Sequence, residues 1–256
     1  MTSETRQVSW YFGLVILLTT PIWILGASND FQLLPGLPIA ALAVVCPALA
    51  AATLCYWRGG WPEVLNLVVQ GLNVRKAGWP VLVVMLVNPV LFGLAFMAAR
   101  ALGAPVPDPT IGIPEAVILF ALFLPAALLE EIGWTGFALS RLQASLSPWA
   151  CGLALGLFWA AWHIPALLQV GRSVDWIAWW CLWTVSARVI MVWVYFRTGG
   201  SVFAVVIYHA MSNLCWQLYP VAGSYFDPKI SGLVTLALAM ALTFWSAARV
   251  TARHAP

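Results

Sequence analysis

The sequence predicts an all-α protein that crosses a membrane several times, and three observations lead to this fold class. The chain is 62% hydrophobic and only 8% charged, whereas soluble domains carry about 25% charged residues. Its mean hydropathy is +0.91. The apolar residues form repeated runs of about 20 residues, which is the length that a helix needs to span a bilayer.

Eight such runs are candidate spans, and proline marks where several of them begin. They cover residues 8–27, 32–56, 79–102, 115–139, 149–170, 176–197, 201–219 and 229–248. Pro80, Pro114, Pro148 and Pro228 stand near the start of four of them, where the first helical turn tolerates a missing N–H. Because the sequence shows no internal repeat and no boundary, we expect residues 1–256 to form a single integral-membrane domain.

A different pattern lies between the second and third spans, from Pro62 to Lys76. Its polar residues recur at steps of three and four, with aliphatic residues between them. This period predicts an amphipathic helix that lies in the membrane interface.

The basic residues outside the spans predict the orientation of the chain. Eight lie on the side of the amino terminus, and three lie on the opposite side. The first group is Arg6, Arg58, Arg75, Lys76, Arg141, Arg197, Arg249 and Arg253, and the second is Arg100, Arg172 and Lys229. Because cytoplasmic loops are rich in Lys and Arg, we expect an inner-membrane protein with both termini in the cytoplasm. The net charge of +3 is too small and too scattered to indicate nucleic acid binding.

Two adjacent carboxylates, Glu130 and Glu131, interrupt the apolar run of residues 115–139, which contains no Lys or Arg. Placing a charge at the bilayer centre costs roughly 2.5–3.5 kcal/mol, so an acid retained there is a candidate functional residue. Two neighbouring carboxylates also repel each other, and this repulsion favours proton uptake by one of them. Such a group is suited to act as a general base near neutral pH.

Further polar residues lie inside later spans: His163 in the fifth, Arg188 in the sixth, and His209 with Asn213 in the seventh. His209 and Asn213 are four residues apart and therefore share a helix face. Counted from the cytoplasmic helix ends, Glu130, His163 and His209 lie roughly 12–21 Å deep. We therefore expect a cavity in the cytoplasmic half of the membrane that opens to the cytoplasm. There a glutamate could take a proton from water while a histidine and an amide bind the oxyanion.

These residues resemble the motifs of the CPBP family of intramembrane proteases, the CAAX-processing and bacteriocin-processing group that includes the type II CAAX prenyl proteases. The family carries a Glu-Glu-xxx-Arg motif, a Phe-xxx-His motif and a His-xxx-Asn motif on separate helices of an eight-helix core. The residues that match in order and spacing are Glu130, Glu131, His163, His209 and Asn213. The resemblance covers roughly residues 115–219, the expected catalytic core. It implies about eight transmembrane helices around a conical cavity within the membrane.

The resemblance also implies a role for each matching residue. Glu130 would act as the general base and His163 would help it to activate water. His209 and Asn213 would stabilise the oxyanion of the tetrahedral intermediate.

Two positions depart from the family pattern. The motif arginine is replaced by Thr135, and the motif phenylalanine by Trp159. A guanidinium one turn after Glu131 would hold that acid ionised and in place. We therefore expect Arg188, an otherwise unpaired charge in the sixth span, to supply the missing partner. Trp134, close to the two glutamates, is a further supporting residue, because the sequence around it resembles that of the bacterial members of the family.

A zinc site is the alternative to a metal-free mechanism, since Glu130, His163 and His209 could supply three ligands and leave one position for water. The sequence contains no His-Glu-x-x-His, and Asn213 is a better hydrogen-bond donor than metal ligand. We therefore expect a glutamate-activated mechanism without a cofactor.

The function favoured by these residues is an intramembrane endopeptidase. The resemblance implies a peptide or protein substrate, lipid-modified in the family's prenyl proteases, with membrane lipids around the enzyme. A non-catalytic scaffold or immunity-type relative stays open, because the motif arginine is missing. A proton-coupled transporter is a third class, but it predicts polar groups towards both faces and inverted repeats.

Overall fold

A computed structural model describes residues 3–29, 31–34, 37–108, 112–219 and 223–253. Its helices are α1 (Ser3–Ala27), α2 (Val45–Gly59), α3 (Trp61–Leu72), α4 (Val74–Ala77), α5 (Pro80–Ala101), α6 (Ile113–Glu131), α7 (Ser140–Leu142), α8 (Pro148–Gln169), α9 (Val174–Arg197), α10 (Val202–Leu218) and α11 (Pro228–Arg253). Two short antiparallel strands, β1 (Gln32–Leu34) and β2 (Leu37–Pro38), lie between α1 and α2.

Seven helical segments of the described chain are long and apolar enough to span a membrane. They are Glu4–Ala27, Ile39–Gly59, Pro80–Ala101, Ile113–Leu142, Pro148–Gln169, Val174–Arg197 and Pro228–Ser246. The eighth predicted span is α10, which is apolar but has only 17 residues. The predicted all-α polytopic membrane fold is therefore confirmed.

Two predicted elements have different boundaries in the structure. The second span was predicted from residue 32, but strands β1 and β2 come first and the 3-10 turn that leads into α2 begins at Ile39. Pro38 stands directly before it, where a missing N–H is tolerated. The predicted amphipathic helix of residues 62–76 is divided into α3 and α4 at Asn73. The Asn73 side chain caps α4 by accepting a hydrogen bond from the Lys76 N–H at 3.1 Å.

Helix α9 lies at the centre of the bundle. In its most apolar window 67% of the residues are buried, against 22–39% in the other six spans that meet the length criterion. Gly152 and Gly156 of α8 allow α8 to approach it closely. A Cβ added to either would lie 3.0 Å from a backbone Cα of α9, at Val189 and Val185 respectively. Two small residues four positions apart allow such a close approach of membrane helices.

A π-helical segment, Ile132–Leu139, continues α6 directly after the two glutamates. All eight of its residues are buried, because α1, α2 and α3 pack around it. The closest approach is at Gly133, where a Cβ would lie 2.5 Å from the backbone oxygen of Pro47 and would also meet the Tyr11 hydroxyl. The missing side chain therefore lets α1 and α2 support the backbone just behind the glutamates.

We expect Gly133→Ala to lower the thermal unfolding temperature, because an added methyl group must displace the α2 backbone. Overpacking of this kind costs about 1–3 kcal/mol. Gly93→Ala is the matched control, since Gly93 lies within α5 and a Cβ there meets nothing within 4 Å. The control should be neutral or slightly stabilising. Equal melting temperatures for the two variants in detergent would contradict this account.

Counting α10 with the seven longer helices gives eight spans, so we expect Ser3 and Arg253, the first and last described residues, on the same side of the membrane. We expect this side to be cytoplasmic, as the distribution of basic residues predicts. Ser28, after α1, and Gln143, after α7, are exposed at opposite ends of the bundle.

An impermeant maleimide added to intact cells should therefore label Ser28→Cys and not Gln143→Cys, whereas both should react after permeabilisation. The unsubstituted chain measures the background from its five cysteines. Labelling of Gln143→Cys alone in intact cells would reverse the orientation.

Candidate active site

The structure brings the four predicted catalytic residues to one cavity. Glu130 of α6, His163 of α8, and His209 and Asn213 of α10 all line a cavity of about 510 Å³. Most of the remaining wall is aliphatic or aromatic. Glu130 and Asn213, the first and last of the four, are 83 positions apart in the sequence. The crossing of α6, α8 and α10 brings all four residues together.

The Glu130 carboxylate is held by two indole groups. Trp134 Nε1 donates to Glu130 Oε2 at 3.1 Å, and Trp159 Nε1 donates to the same oxygen at 2.9 Å. Oε1 receives neither bond and lies 3.9 Å from His209 Nε2. The side chain is only 4% exposed. Both indoles therefore fix one oxygen, which leaves the other available for a reactant at the cavity wall.

Trp134 and Trp159 thus have a specific role that the sequence did not indicate. Among the described contacts, the two indole N–H groups hold the Glu130 carboxylate, whereas His163 Nδ1 contacts the backbone oxygen of Trp159. The role of His163 in activating water stays a prediction.

Glu131 lies behind the cavity wall and is completely buried. Its Oε2 accepts hydrogen bonds from Arg188 NH1 at 2.7 Å and from the Thr135 hydroxyl at 2.5 Å. Its Oε1 lies 2.9 Å from His209 Nδ1. Three polar groups from α9, the π-helical segment and α10 therefore converge on one carboxylate, which satisfies a charge that burial alone would make very costly.

Arg188 approaches Glu131 as the sequence led us to expect. Its guanidinium carbon lies 4.1 Å from the centre of the Trp159 ring, so it also stacks on the indole that holds Glu130. Gly156 makes room for it, because a Cβ there would lie 3.3 Å from Arg188 Cβ. The structure therefore supplies a guanidinium to Glu131 from α9, while Thr135 in the motif position contributes a hydroxyl.

His163 is surrounded by indole rings. Its ring centre lies 5.3 Å from Trp159, 4.7 Å from Trp162 and 5.0 Å from Trp180. Nδ1 lies 2.8 Å from the backbone oxygen of Trp159, which can only accept, so Nδ1 carries the proton. Nε2 of the neutral ring is then a free acceptor at the cavity wall.

His209 is also held through its Nδ1. This nitrogen lies 2.9 Å from Glu131 Oε1 and donates to that carboxylate. Nε2 lies 3.9 Å from Glu130 Oε1 at the cavity wall. Asn213 lies one turn further along α10, is half-buried and also lines the cavity.

The cavity leads away from the end of the molecule that carries both termini. Its outermost lining residues lie in or beside the α1–α2 and α8–α9 connections: Leu33, Pro38, Val170, Arg172 and Trp176. The expected combination of cytoplasmic termini with a cavity that opens to the cytoplasm is therefore wrong. The depth of each residue from one helix end does not reveal at which end the helices separate.

Among the residues that the structure describes, no group of three or more His, Cys, Asp or Glu side chains is arranged to hold a metal ion. Glu130 Oε2, His163 Nδ1 and His209 Nδ1 each contact other partners, and the second oxygen or nitrogen of each side chain is left as a potential ligand atom. The mechanism without a cofactor therefore stays a prediction.

Sequence reasoning missed the tryptophan lining of the cavity. Trp162, Trp176, Trp180, Trp183 and Trp216 contribute to its wall. Trp176, Trp180 and Trp183 recur at steps of four and three residues along α9, which could have indicated a common face. In an apolar span, however, the spacing alone does not distinguish a tryptophan face that lines a cavity from one that packs against lipid.

Comparison with known proteins identifies a family for this part of the chain. Residues 112–215 match the family described as type II CAAX prenyl endopeptidase Rce1-like. A CAAX prenyl protease 2 from Methanococcus maripaludis is 30% identical to the chain over 113 residues. This match covers 41% of the chain and 41% of that relative, so the chain spans about two fifths of the relative's length. The segment that matches the family contains Glu130, His163, His209 and Asn213, and the resemblance to the CPBP proteases is confirmed.

Proposed function

From the match of residues 112–215 to the family of type II CAAX prenyl endopeptidases described as Rce1-like, we propose that this chain is a membrane-embedded endopeptidase. The observation that carries the proposal is the cavity in which Glu130, His163, His209 and Asn213 converge. The substrate would be a peptide or protein segment that enters this cavity from the membrane or its surface.

Glu130 is the proposed general base. Its Oε1 is free of the indole bonds and lies 3.9 Å from His209 Nε2, so a water molecule could contact both atoms at hydrogen-bonding distance. Glu130 would take the proton from this water and later deliver it to the leaving amine. His163, with an acceptor nitrogen at the same cavity, would orient the attacking water.

His209 and Asn213 are the proposed donors to the oxyanion. The peptide carbonyl develops negative charge when water adds to it, and fixed donors in a dry cavity stabilise that charge strongly. Glu131, itself paired with Arg188, would hold the His209 ring in place from behind the wall. No metal takes part in this scheme.

The two alternative classes have less support from the geometry. The scaffold hypothesis depended on the missing motif arginine, but Arg188 contacts Glu131 at 2.7 Å. A transporter needs polar groups that lead to both faces of the membrane. Among the described residues, the wall of this cavity runs from Glu130 to the α8–α9 connection at one end of the bundle.

The direct test is incubation of purified protein with a pool of peptides, followed by mass spectrometry of the newly formed termini. Peptides with and without a prenylated cysteine belong in the pool, because they separate general from lipid-dependent cleavage. New termini that require active protein would support the proposal. Their absence from both peptide sets, together with unchanged membrane proteins in cells that lack the chain, would refute it.

We expect His209→Ala to lower kcat by roughly 10²–10³-fold, the usual effect of removing one oxyanion donor. His254, which lies outside the described residues at the end of the chain, provides the matched control as His254→Ala. The control should retain full activity. A loss of only a few-fold in His209→Ala would contradict the proposed role.

A further inference from the structure

Helix α3 has three different faces. Its buried residues Leu67 and Gly71 lie against the π-helical segment, and a Cβ on Gly71 would lie 2.9 Å from Ile132 Cγ1. Exposed apolar residues follow one another at steps of four and three: Trp61, Leu65, Val69 and Leu72. Exposed polar residues form a third side: Glu63, Asn66 and Gln70. A helix with these faces fits the boundary between protein, hydrocarbon and water.

Two exposed tryptophans indicate the depth of α3 and α4 in the membrane. Trp57 lies near the end of α2, and Trp79 directly precedes α5. Exposed tryptophans at the ends of spans lie at the level of the lipid headgroups. Since α3 and α4 connect these two spans, we expect them at the same level.

Helix α4 supplies two cations to this boundary. Arg75 and Lys76 are exposed, and neither forms an ion pair with an acid of the described chain. Lys76 reaches the turn between α9 and α10, where a Cβ on Gly200 would lie 3.3 Å from Lys76 Nζ and 3.4 Å from the Tyr195 hydroxyl. The missing side chain leaves a small space between an ammonium and a hydroxyl, two groups that can donate to a phosphate oxygen.

A partner of this surface must combine negative charge with hydrocarbon. The exposed Leu72 lies one turn before Lys76, so the cations and the apolar face of α3 are adjacent. A soluble phosphate would satisfy the cations and leave the apolar face in contact with other molecules. An anionic phospholipid satisfies both, because its phosphate and its acyl chains meet at the same level of the membrane.

We propose that α3 and α4 bind an anionic phospholipid of the leaflet on the side of the termini. Its phosphate lies at Arg75 and Lys76, and its acyl chains run past Leu72 and Leu65. None of the described residues that line the catalytic cavity belongs to α3 or α4, so this site does not depend on the proposed peptidase function. Because α3 packs against the segment that directly follows Glu131, the bound lipid also stabilises that segment.

The test is native mass spectrometry of the full-length protein in detergent with equimolar phosphatidylglycerol and phosphatidylcholine. One phosphatidylglycerol molecule should be retained in preference, since each cation near an anionic lipid contributes about fivefold in affinity. We expect Lys76→Gln to lose about fivefold of this preference and Arg75→Gln with Lys76→Gln to abolish it. Arg6→Gln is the matched control, because Arg6 is an exposed arginine of α1 at the same end of the bundle, and it should keep the preference.

Thermal unfolding gives a second measurement that does not require activity. Phosphatidylglycerol should raise the unfolding temperature of the wild type above its value in phosphatidylcholine, because a ligand that binds only the folded state stabilises it. The double variant should melt at the same temperature in both lipids. Its curve in phosphatidylcholine shows whether it folds, and Lys76→Gln alone decides if it does not.

Four results would overturn the proposal. Phosphatidylglycerol and phosphatidylcholine could be retained equally, or the preference could survive in the double variant. A preference lost equally in Arg6→Gln would assign it to general surface charge. Equal stabilisation by glycerol 3-phosphate would assign the cations to a soluble phosphate. A dimer that forms in the wild type and not in the double variant would likewise reject the lipid, because a second copy of the chain would then cover this surface.

Discussion

Glu130→Gln is expected to abolish cleavage, with a loss of at least about 10³-fold in kcat. Glutamine has nearly the same shape, and its oxygen can still accept the bonds from Trp134 and Trp159 that hold Glu130 Oε2. It cannot take a proton from water, so the general base is lost. Because packing and indole contacts are kept, the melting temperature should change little. The measurement is single-turnover cleavage of a substrate peptide beside a thermal unfolding curve.

The matched control is Glu115→Gln on the same helix. Glu115 lies in the first turn of α6 and is exposed, so its substitution should leave turnover intact. Cleavage by Glu130→Gln at near the wild-type rate would remove Glu130 from the mechanism. Equal losses in both variants would indicate that a general effect on α6 is responsible.

Much of this site could be predicted because polar residues inside apolar spans are few and costly. Glu130, His163 and His209 were identified for that reason, and the cavity that joins them follows from helices that cross at similar depth. The same physics predicted that Arg188 needs a partner, since an unpaired guanidinium within the bilayer is expensive. The acid that it meets is Glu131.

Other features depend on packing and leave no periodic signal in the sequence. The π-helical segment of residues 132–139 requires α1 and α2 to approach Gly133, and their closeness is a property of the assembled bundle. The bonds from Trp134 and Trp159 to a single oxygen depend on the same local geometry. The direction in which the cavity opens depends on where α1, α8 and α9 separate, and hydropathy does not record this separation.

Arg188→Ala should reduce both stability and activity, because it leaves the Glu131 charge buried without its cation. Breaking a buried pair in this way costs about 3–5 kcal/mol. Glu131, no longer fixed by Arg188, would hold His209 less precisely, so we expect kcat to fall by roughly 10²-fold or more. Arg197→Ala is the matched control, since Arg197 is an exposed arginine of the same helix that stacks on Trp193 and Trp245.

Two double variants separate the electrostatic role of Arg188 from simple packing. In Thr135→Arg with Arg188→Ala, the guanidinium returns to the motif position, and the present Thr135 hydroxyl already lies 2.5 Å from Glu131 Oε2. We expect this variant to recover stability and part of kcat. In Glu131→Gln with Arg188→Ala, the unpaired charge is removed, so stability should recover while kcat stays low. If the relocated arginine restores neither property and the neutral pair restores both, Arg188 fills space and does not set the charge of the site.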